Sequence, residues 1–333
     1  MPPAAVAPSG SAASASNPPS CAELGSAPRC SPAGQATFTR AVNTGRYQSD
    51  LEFFAQKPRP AGSPHWQASQ DRAAAVLTEN GFEVARERYA TGVNVLGIKR
   101  GTRCSDELVI VGAHYDGVPG CPAADDNASG AAGALEVARV LGKGRFARTL
   151  VVALWDEEEL GFLGSEAHAA VLAERGAKVR AVFVYEMIGY RDPAPGAQRL
   201  PTGFELLFPE AIAPVRAAGF RGDFVFVASD ELARDQARCF GEHAKAVGLP
   251  VAGVELGSAL KRSVLLRDLQ RSDHVSFWAR DMPALLLTDS AEFRNRHYHC
   301  GAGPDVPSDL DPAFAGQLIQ ATVGAAADVL GPE

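Results

Sequence analysis

Residues 107–117 read ELVIVGAHYDG, and this stretch decides the fold. Its first seven residues are mostly apolar and rich in β-branched side chains, which predicts a short strand buried on both faces. Three further runs have the same character, and several segments between them place apolar residues at helical spacing. The strand-like runs are 149–155, 179–185 and 284–288, and the helical segments are 63–80, 129–142, 164–175, 231–247 and 312–330. Strands that alternate with helices predict an α/β fold, a single domain with a mostly parallel central sheet flanked by helices on both faces.

The composition excludes several classes of protein. Of the 333 residues, 46% are hydrophobic and 21% are charged, which is typical of globular proteins rather than of fibrous or wholly disordered chains. No apolar run approaches the roughly 20 residues that a membrane-spanning helix needs. Lys and Arg number 32 against 39 Asp and Glu, and there is no basic run, so we expect neither nucleic acid nor a membrane as a partner. We expect a monomer that acts on peptides or small molecules.

The composition changes near residue 35. Residues 1–35 are rich in Ala, Pro and Ser and lack apolar periodicity, which predicts a disordered leader before a folded domain over 36–333. The leader has neither the basic nor the apolar region of a signal peptide, although it resembles the linkers that often follow one. Six cysteines without a C-x-x-C pair favour disulfides over a zinc ribbon or a redox motif. We therefore predict a secreted or periplasmic protein.

Polar side chains that can bind a metal follow three of the predicted strands. His114 and Asp116 follow the first strand, the acidic run 156–159 follows the second, and Glu186 follows the third. The carboxyl ends of parallel strands meet at one edge of a sheet, so these side chains should converge in one crevice. Buried carboxylates are costly to leave unpaired, and a bound cation would compensate them. The sequence therefore predicts a metal site at this edge.

Six motifs follow one another along the chain: GAHYD, ADDNASG, EEELGFLGS, YEMIGY, SDHVSFW and RNRHYH. Taken together, they resemble those of the M28 family of co-catalytic di-zinc peptidases, which contains aminopeptidases and related carboxypeptidases. The resemblance spans roughly residues 40–330. It implies that residues 36–333 form the catalytic domain of a metallopeptidase with two zinc ions per chain.

The resemblance also implies five metal ligands. His114 and Glu186 would bind one zinc ion, Glu159 and His299 would bind the other, and Asp126 would bridge the two. Each ion would then have two ligands of its own and one shared carboxylate, which leaves open the position that a catalytic zinc site requires. The well-known aminopeptidases of the family carry Asp where this chain has Glu186, which shifts the ligand oxygen by about one methylene length.

Three further residues would take part in the reaction. Glu158 would act as general base and then general acid toward a water molecule activated by the two zinc ions. Asp116 would orient the ring of His114, and Tyr298 matches a tyrosine that stabilises the oxyanion in some members. Family members usually have an Asp four residues after the last histidine ligand. Here Asp305 lies six residues after it, behind what looks like a two-residue insertion at the rim of the site.

The activity implied is hydrolysis of peptide bonds, and we predict the release of N-terminal amino acids. Negative charge from Asp125 and Glu157, beside the implied ligands, would suit the α-ammonium group of a peptide. One alternative is a carboxypeptidase or dipeptidase on the same metal centre, with Arg294 and Arg296 as a clamp for the terminal carboxylate. Another is a glutaminyl-peptide cyclotransferase, which shares the fold but uses one zinc ion. Metal content would separate the hydrolases from the cyclotransferase.

Two groups of residues near the implied site have two interpretations each. Five phenylalanines in residues 191–229 either line a substrate pocket or belong to the core. They are Phe204, Phe208, Phe220, Phe224 and Phe226. The run Ser272-Asp273-His274 looks like a catalytic triad, but consecutive residues cannot easily supply nucleophile, base and orienting group in line. We interpret it as a motif that supports the site or lies at its rim.

A shared metal centre would also bring two cysteines together. Cys121 lies between two implied ligands and Cys300 directly follows a third, so we predict a Cys121–Cys300 disulfide. Cys21 and Cys30 are near in sequence and could close a small loop. That pairing would leave Cys104 with Cys239.

Overall fold

The central sheet has eight strands in the computed structural model, which describes residues 20–25, 27–331 and 333. In chain order the strands are β1 (Glu83–Arg88), β2 (Val93–Lys99), β3 (Cys104–His114), β4 (Arg148–Trp155), β5 (Lys178–Glu186), β6 (Val225–Asp230), β7 (Val251–Leu256) and β8 (Ala284–Thr288). Their order across the sheet is β1-β2-β4-β3-β5-β8-β6-β7. Strands β4, β3, β5 and β8 are parallel neighbours, and β6 is parallel to β7. The other pairs are antiparallel, so the sheet is mostly parallel, as predicted.

The four parallel strands at the centre of the sheet are the four apolar runs singled out in the sequence. In the register of β3 with β4, Gly112 lies beside Ala153 and His114 beside Trp155. A side chain at Gly112 would lie 2.6 Å from the carbonyl oxygen of Ala153 and from the ring of Trp155. The absence of a side chain at Gly112 therefore lets β3, β4 and the Trp155 ring pack closely, two residues before β3 ends at His114.

The α-helices cover both faces of the sheet. Among the described residues they are α1 (Cys21–Leu24), α2 (Ala36–Thr39), α3 (Thr44–Phe54), α4 (Pro64–Glu79), α5 (Gly130–Leu141), α6 (Leu163–Glu174), α7 (Phe204–Leu207), α8 (Pro209–Ala217), α9 (Arg234–Ala246), α10 (His274–Trp278) and α11 (Pro312–Leu330). The start of α4 shows why the sequence folds this way. Ser63 accepts a hydrogen bond from the backbone N–H of Trp66, and Pro64 occupies the first helical position, where its missing N–H costs nothing.

Successive residues of a strand point to opposite faces of the sheet, and β4 shows the consequence. Leu150, Val152 and Leu154 pack in a core with residues of α3, α4, α5, α9 and α11. Val151 and Trp155 belong to a second core with residues of α6, α8 and α10. The predicted layers, with helices on both faces of the sheet, are confirmed.

Helix α11 is long and apolar enough to span a membrane by length and composition alone. However, 83% of its most apolar window is buried inside the domain. Its residues Phe314, Leu318 and Ile319 belong to the first core. It packs against α9 and α5, so it is a core helix of this fold.

The structure describes only the C-terminal part of the predicted leader, residues 20–25 and 27–35. Residues 1–19 lie outside the described residues, but the chain from residue 20 is fastened to the domain at several points. Cys21 forms a disulfide with Cys104 at the start of β3. Farther along, Asp328 of α11 accepts hydrogen bonds from the backbone N–H of Ser31 and from the amide of Gln35, both at 2.7 Å. These hydrogen bonds give partners to polar groups in a segment whose composition had predicted disorder.

Of the three predicted disulfide pairs, one is present in the structure and two are not. The Cys121–Cys300 bond is present, as predicted. The pairs Cys21–Cys30 and Cys104–Cys239 are wrong, because Cys21 is bonded to Cys104 instead. The segment after residue 20 runs from the start of β3 toward α11, so nearness in sequence does not make Cys21 and Cys30 partners. Cys30 and Cys239 are free thiols.

Candidate metal centre

The polar side chains singled out in the sequence meet at one edge of the sheet. Strand β3 ends at His114 and β5 ends at Glu186, and the acidic run that follows β4 lies between residues 156 and 159. These strands are parallel neighbours, so their carboxyl ends lie together. Two further segments complete the cluster. The turn over 124–129 contributes Asp126, and the short 3₁₀ turn over 298–300 contributes His299.

The first donor group surrounds the ring of His114. Its Nε2 atom lies 3.4 Å from Asp126 Oδ1, 3.5 Å from Glu186 Oε2 and 3.9 Å from Glu158 Oε2. The ring is fully buried, and Nε2 has no hydrogen-bond partner among the described residues. A buried nitrogen without a partner, facing several carboxylates, is the arrangement expected of a metal ligand without its ion.

The second donor group surrounds the ring of His299. Its Nε2 atom lies 3.1 Å from Asp126 Oδ2 and 3.1 Å from Glu159 Oε2. The other oxygen of Glu159, Oε1, is buried and has no hydrogen-bond partner in the described part of the chain. Asp126 therefore directs one oxygen to each histidine. The structure brings together all five residues proposed as metal ligands, and their nitrogen and carboxylate donors suit zinc.

Asp116 connects the first donor group to the acidic run. Its Oδ1 lies 3.2 Å from Nδ1 of His114, and the carboxylate also accepts the backbone N–H groups of Glu158 at 3.2 Å and Glu159 at 3.3 Å. A proton on Nδ1 leaves Nε2 of His114 as the free lone pair that faces the donor group. Asp116 thus lies where its predicted orienting role requires.

The run Ser272-Asp273-His274 and the residue Asp305, both singled out in the sequence, lie behind the donors. Ser272 donates a hydrogen bond of 2.6 Å to Glu186, and His274 Nε2 contacts the carbonyl of Leu269, so Ser272-Asp273-His274 forms no triad. Asp305 accepts the backbone N–H groups of Asp125 and Asp126 at 2.9–3.1 Å. The insertion before Asp305 is fastened by the Cys121–Cys300 disulfide. Asp305 can therefore hold the Asp126 backbone despite its shifted place in the sequence.

The electrostatics of the cluster favour a bound cation. Burial raises the pKa of Glu158 well above its ordinary value, and the nearby Glu186 and Asp273 carboxylates act in the same direction. Burial also raises the pKa of Glu159 and of Glu186. Each buried carboxylate disfavours the ionised form of its neighbours. A cation among them would therefore stabilise the cluster.

Arg59 is a residue near the site that the sequence analysis missed. It is fully buried, and it donates hydrogen bonds to the backbone carbonyls of Tyr115 at 2.7 Å, Pro122 at 2.8 Å and Ala123 at 2.8 Å. Burial lowers its pKa to about 10. These three acceptors lie in the segment between His114 and Asp126, and a fourth, the carbonyl of Phe54 at 3.3 Å, lies at the end of α3. Arg59 therefore fixes the path of the chain that joins two donors. Only the tertiary structure brings this residue to that segment.

An open cavity of about 800 Å³ adjoins the donors. Asp126, Glu158, Glu186 and Tyr298 lie along it together with an apolar wall. Of the five phenylalanines, Phe204, Phe224 and Phe226 line the cavity and also belong to the second core, whereas Phe208 and Phe220 only pack against that core. Both interpretations of this group were therefore correct in part.

Tyr298 and three arginines complete the surroundings. The ring of Tyr298 stacks on His299 with centroids 3.8 Å apart, and its hydroxyl accepts a hydrogen bond of 2.9 Å from Arg271, which the sequence analysis also missed. Arg294 is buried and donates to Gln198 and to the backbone carbonyls of Tyr190 and Phe224. All three nitrogens of its guanidinium are bonded to these partners. Arg296 is exposed.

Comparisons with known proteins agree with this arrangement. A model of peptidase family M28 matches residues 94–320. The uncharacterised protein YfbL of Escherichia coli is 35% identical over 206 residues, which are 58% of each chain. A probable zinc metalloprotease of Pyrenophora tritici-repentis is 26% identical over 287 residues, 79% of this chain and 58% of that protein. Aminopeptidase YwaD of Bacillus subtilis is 39% identical over 101 residues, 30% of this chain and 22% of that protein.

Solved structures share the fold at low sequence identity. The LapA aminopeptidase of Legionella pneumophila superposes with a TM-score of 0.69 at 17% identity, covering 92% of this chain and 77% of that one. A glutaminyl cyclase of Porphyromonas gingivalis superposes with a TM-score of 0.58 at 17% identity, covering 86% and 98%. The chain spans less than two thirds of the length of the curated relatives named above. The match over residues 94–320 nevertheless covers most of the sequence, and the chain belongs to peptidase family M28.

Proposed function

We propose that this protein is a zinc-dependent aminopeptidase that removes N-terminal residues from peptides. The observation that carries the proposal is the carboxylate of Asp126, whose two oxygens face His114 and His299 separately. One carboxylate between two histidine-containing donor groups suits two ions rather than one. A second complete donor group, with Glu159 and His299, also argues for a hydrolase over a cyclotransferase with one zinc ion.

We assign His114, Asp126 and Glu186 to one zinc ion and His299, Asp126 and Glu159 to the other. Zinc in such a site polarises a carbonyl group and makes water more acidic. The residues around the donors prepare them for this role. Asp116 keeps the proton of His114 on Nδ1, and Ser272 holds one oxygen of Glu186.

Glu158 is the proposed proton carrier of the reaction. Its carboxylate lies 3.9 Å from His114 Nε2, lines the cavity, and is left free by the assignment of donors. In this role it takes a proton from water and then gives it to the leaving amide nitrogen. Tyr298, also on the cavity wall, is the proposed donor to the oxyanion. Its hydroxyl accepts from Arg271 and so keeps its own proton available.

The charges near the cavity favour the N-terminus of a peptide over its C-terminus. Asp126, Glu158 and Glu186 line the cavity and can attract an α-ammonium group, whereas the two arginines that line it, Arg199 and Arg271, are bonded to Glu292. A carboxypeptidase would need a free cationic clamp, and Arg294 is already bound to three acceptors. The two disulfides are compatible with action outside the cytoplasm, and we propose a secreted or periplasmic enzyme.

The test uses the zinc-loaded protein and three matched peptides of one sequence: free at both ends, N-acetylated, and C-amidated. We expect cleavage of the free and C-amidated peptides and no cleavage of the N-acetylated peptide. Glu158→Gln is the control for contaminating peptidases. Cleavage of the N-acetylated peptide, with loss of activity on the C-amidated one, would instead identify a carboxypeptidase. Elemental analysis should give two zinc ions per chain, and a single ion would count against the two-ion assignment.

A further inference from the structure

The two free cysteines lie together, far from the candidate metal centre in sequence and on other elements. Cys239 is fully buried on α9, and Cys30 is half-buried in the segment before α2. Both lie beside the Asp328 carboxylate, since its Oδ2 is 3.7 Å from Cys239 Sγ and accepts the backbone N–H of Ser31, the residue after Cys30. The other four cysteines are bonded in two pairs. The two cysteines that have no disulfide partner are therefore neighbours.

One carboxylate fixes both chain segments that carry these thiols. Asp328 of α11 accepts from the backbone N–H of Ser31, the residue after Cys30, at 2.7 Å. Its Oδ2 also lies 2.7 Å from Nε2 of His243, which is one helical turn after Cys239 on α9. The thiol of Cys239 lies 3.7 Å from the same oxygen. The nearness of Cys30 and Cys239 is thus built into the packing of α9, α11 and the N-terminal segment.

We propose that Cys30 and Cys239 form a third disulfide in the mature protein. The bond would fasten the segment that contains Cys30 to α9, in addition to the hydrogen bonds that Asp328 already accepts. It would also leave every cysteine of the chain paired, as expected of a protein that matures in an oxidising compartment.

The oxidant is a disulfide compound such as glutathione disulfide, and the bond forms by two exchange steps. Cys30 is the more accessible thiol. Its thiolate attacks one sulfur of the oxidant, forms a mixed disulfide and releases one thiol. The thiolate of Cys239 then attacks the sulfur of Cys30, forms the new bond and releases the second thiol. The two protons lost by the cysteines end on the two released thiols. Burial raises the pKa of both thiols, so exchange in the folded protein should be slow.

The same cluster could hold a metal ion, since Cys239, His243 and Asp328 offer three donors in one place. The distances favour the disulfide. His243 Nε2 and Asp328 Oδ2 are 2.7 Å apart, a hydrogen-bond distance, whereas nitrogen and carboxylate oxygens in the candidate metal centre are 3.1–3.5 Å apart. In addition, Asp328 already accepts bonds from Ser31 and Gln35.

The test is a thiol count on the full chain after refolding from the reduced, denatured state with glutathione disulfide, so that both thiols are accessible to the oxidant. The protein is denatured without a reductant in the presence of N-ethylmaleimide and then digested for peptide mapping. We expect no alkylated cysteine and a linked pair of peptides that contain Cys30 and Cys239. In Cys30→Ser, Cys239 should become alkylated while the other two disulfides persist. The Cys30→Ser/Cys239→Ser double variant should melt at a lower temperature than the oxidised wild type.

Alkylation of both Cys30 and Cys239 in the oxidised wild-type protein would overturn the proposal. Zinc analysis then identifies the alternative. If the wild type with both thiols free holds one more zinc ion than Cys239→Ser, the cluster is a metal site. If the two proteins hold equal zinc, the thiols are simply buried side chains. Neither outcome bears on the aminopeptidase assignment, which depends on other residues.

Discussion

Replacement of Arg59 by Met tests whether this buried guanidinium holds the segment that joins two metal donors. Methionine keeps much of the apolar volume but removes every hydrogen bond to the carbonyls of Tyr115, Pro122 and Ala123. A hydrogen bond from a charged donor contributes about 1.5–3 kcal/mol, and a buried carbonyl without a partner costs about 1–3 kcal/mol. Water and relaxation recover part of three such losses, and removal of a buried charge offsets another part. We therefore expect Arg59→Met to lower the free energy of unfolding by about 3–5 kcal/mol.

The assay is urea unfolding of the zinc-free protein with its disulfides intact, followed by tryptophan fluorescence. Arg59→Lys is the matched control, because it keeps the charge but cannot reach all three carbonyls in one plane. It should fall between Arg59→Met and the wild type. A loss below about 1 kcal/mol in Arg59→Met would refute the view that these bonds hold the segment.

Zinc affinity separates two ways in which Arg59 could act. The guanidinium is near enough to Asp116, Asp126 and Glu159 for their charges to affect its pKa. If it acted only through its charge, its removal would make zinc bind more tightly, since one positive charge near the site is lost. If it positions the segment between His114 and Asp126, zinc should bind more weakly. We expect weaker binding, measured by competition with a chromophoric chelator.

Three other substitutions test the site and its surroundings. Glu158→Gln should keep both zinc ions and the melting temperature while turnover falls about 10²–10⁴-fold, because proton transfer is lost; near wild-type turnover would remove Glu158 from that role. Asp126→Ala should fail to retain two zinc ions on dialysis, with Asp106→Ala, whose side chain is exposed, as the control; two tightly held ions would exclude a shared ligand. Burial lowers the pKa of His274 to about 4, so below about pH 6.5 the unfolded chain binds a proton that the folded protein does not, and stability falls as the pH drops toward 4. Urea unfolding at pH 7 and pH 4.5 should show a loss about 2–3 kcal/mol smaller in His274→Gln than in the wild type, and equal losses would contradict the assignment.

The sequence predicted the centre of the sheet better than its edges. Strands β3, β4, β5 and β8 are buried on both faces, and their unbroken apolar runs can be recognised without knowing their neighbours. Strand β7 alternates between exposed and buried residues, and β1 has no fully buried residue. Such short, half-exposed strands form because they pair with a neighbouring strand, and the sequence alone does not reveal that neighbour.

The same distinction applies to the candidate site. Its donors stand at strand ends or in recognisable motifs, so they could be named in advance. The partners of those donors could not. Arg59 reaches carbonyls more than 50 residues away, and Ser272 reaches Glu186 from another element. The pairing of Cys21 with Cys104 also depends on where the N-terminal segment crosses the domain.

The two donor histidines differ in their access to solvent. The side chain of His114 is fully buried, whereas that of His299 is 38% exposed. An ion beside His299 would have a partly exposed ligand that water or a chelator can displace directly, whereas an ion beside His114 would have a fully buried one and would be reached only from the cavity that Glu158 and Glu186 line. We therefore expect the two ions to exchange on different timescales. Brief exposure to a chelator should yield a half-loaded protein, with the buried position still filled, before the fully metal-free form appears.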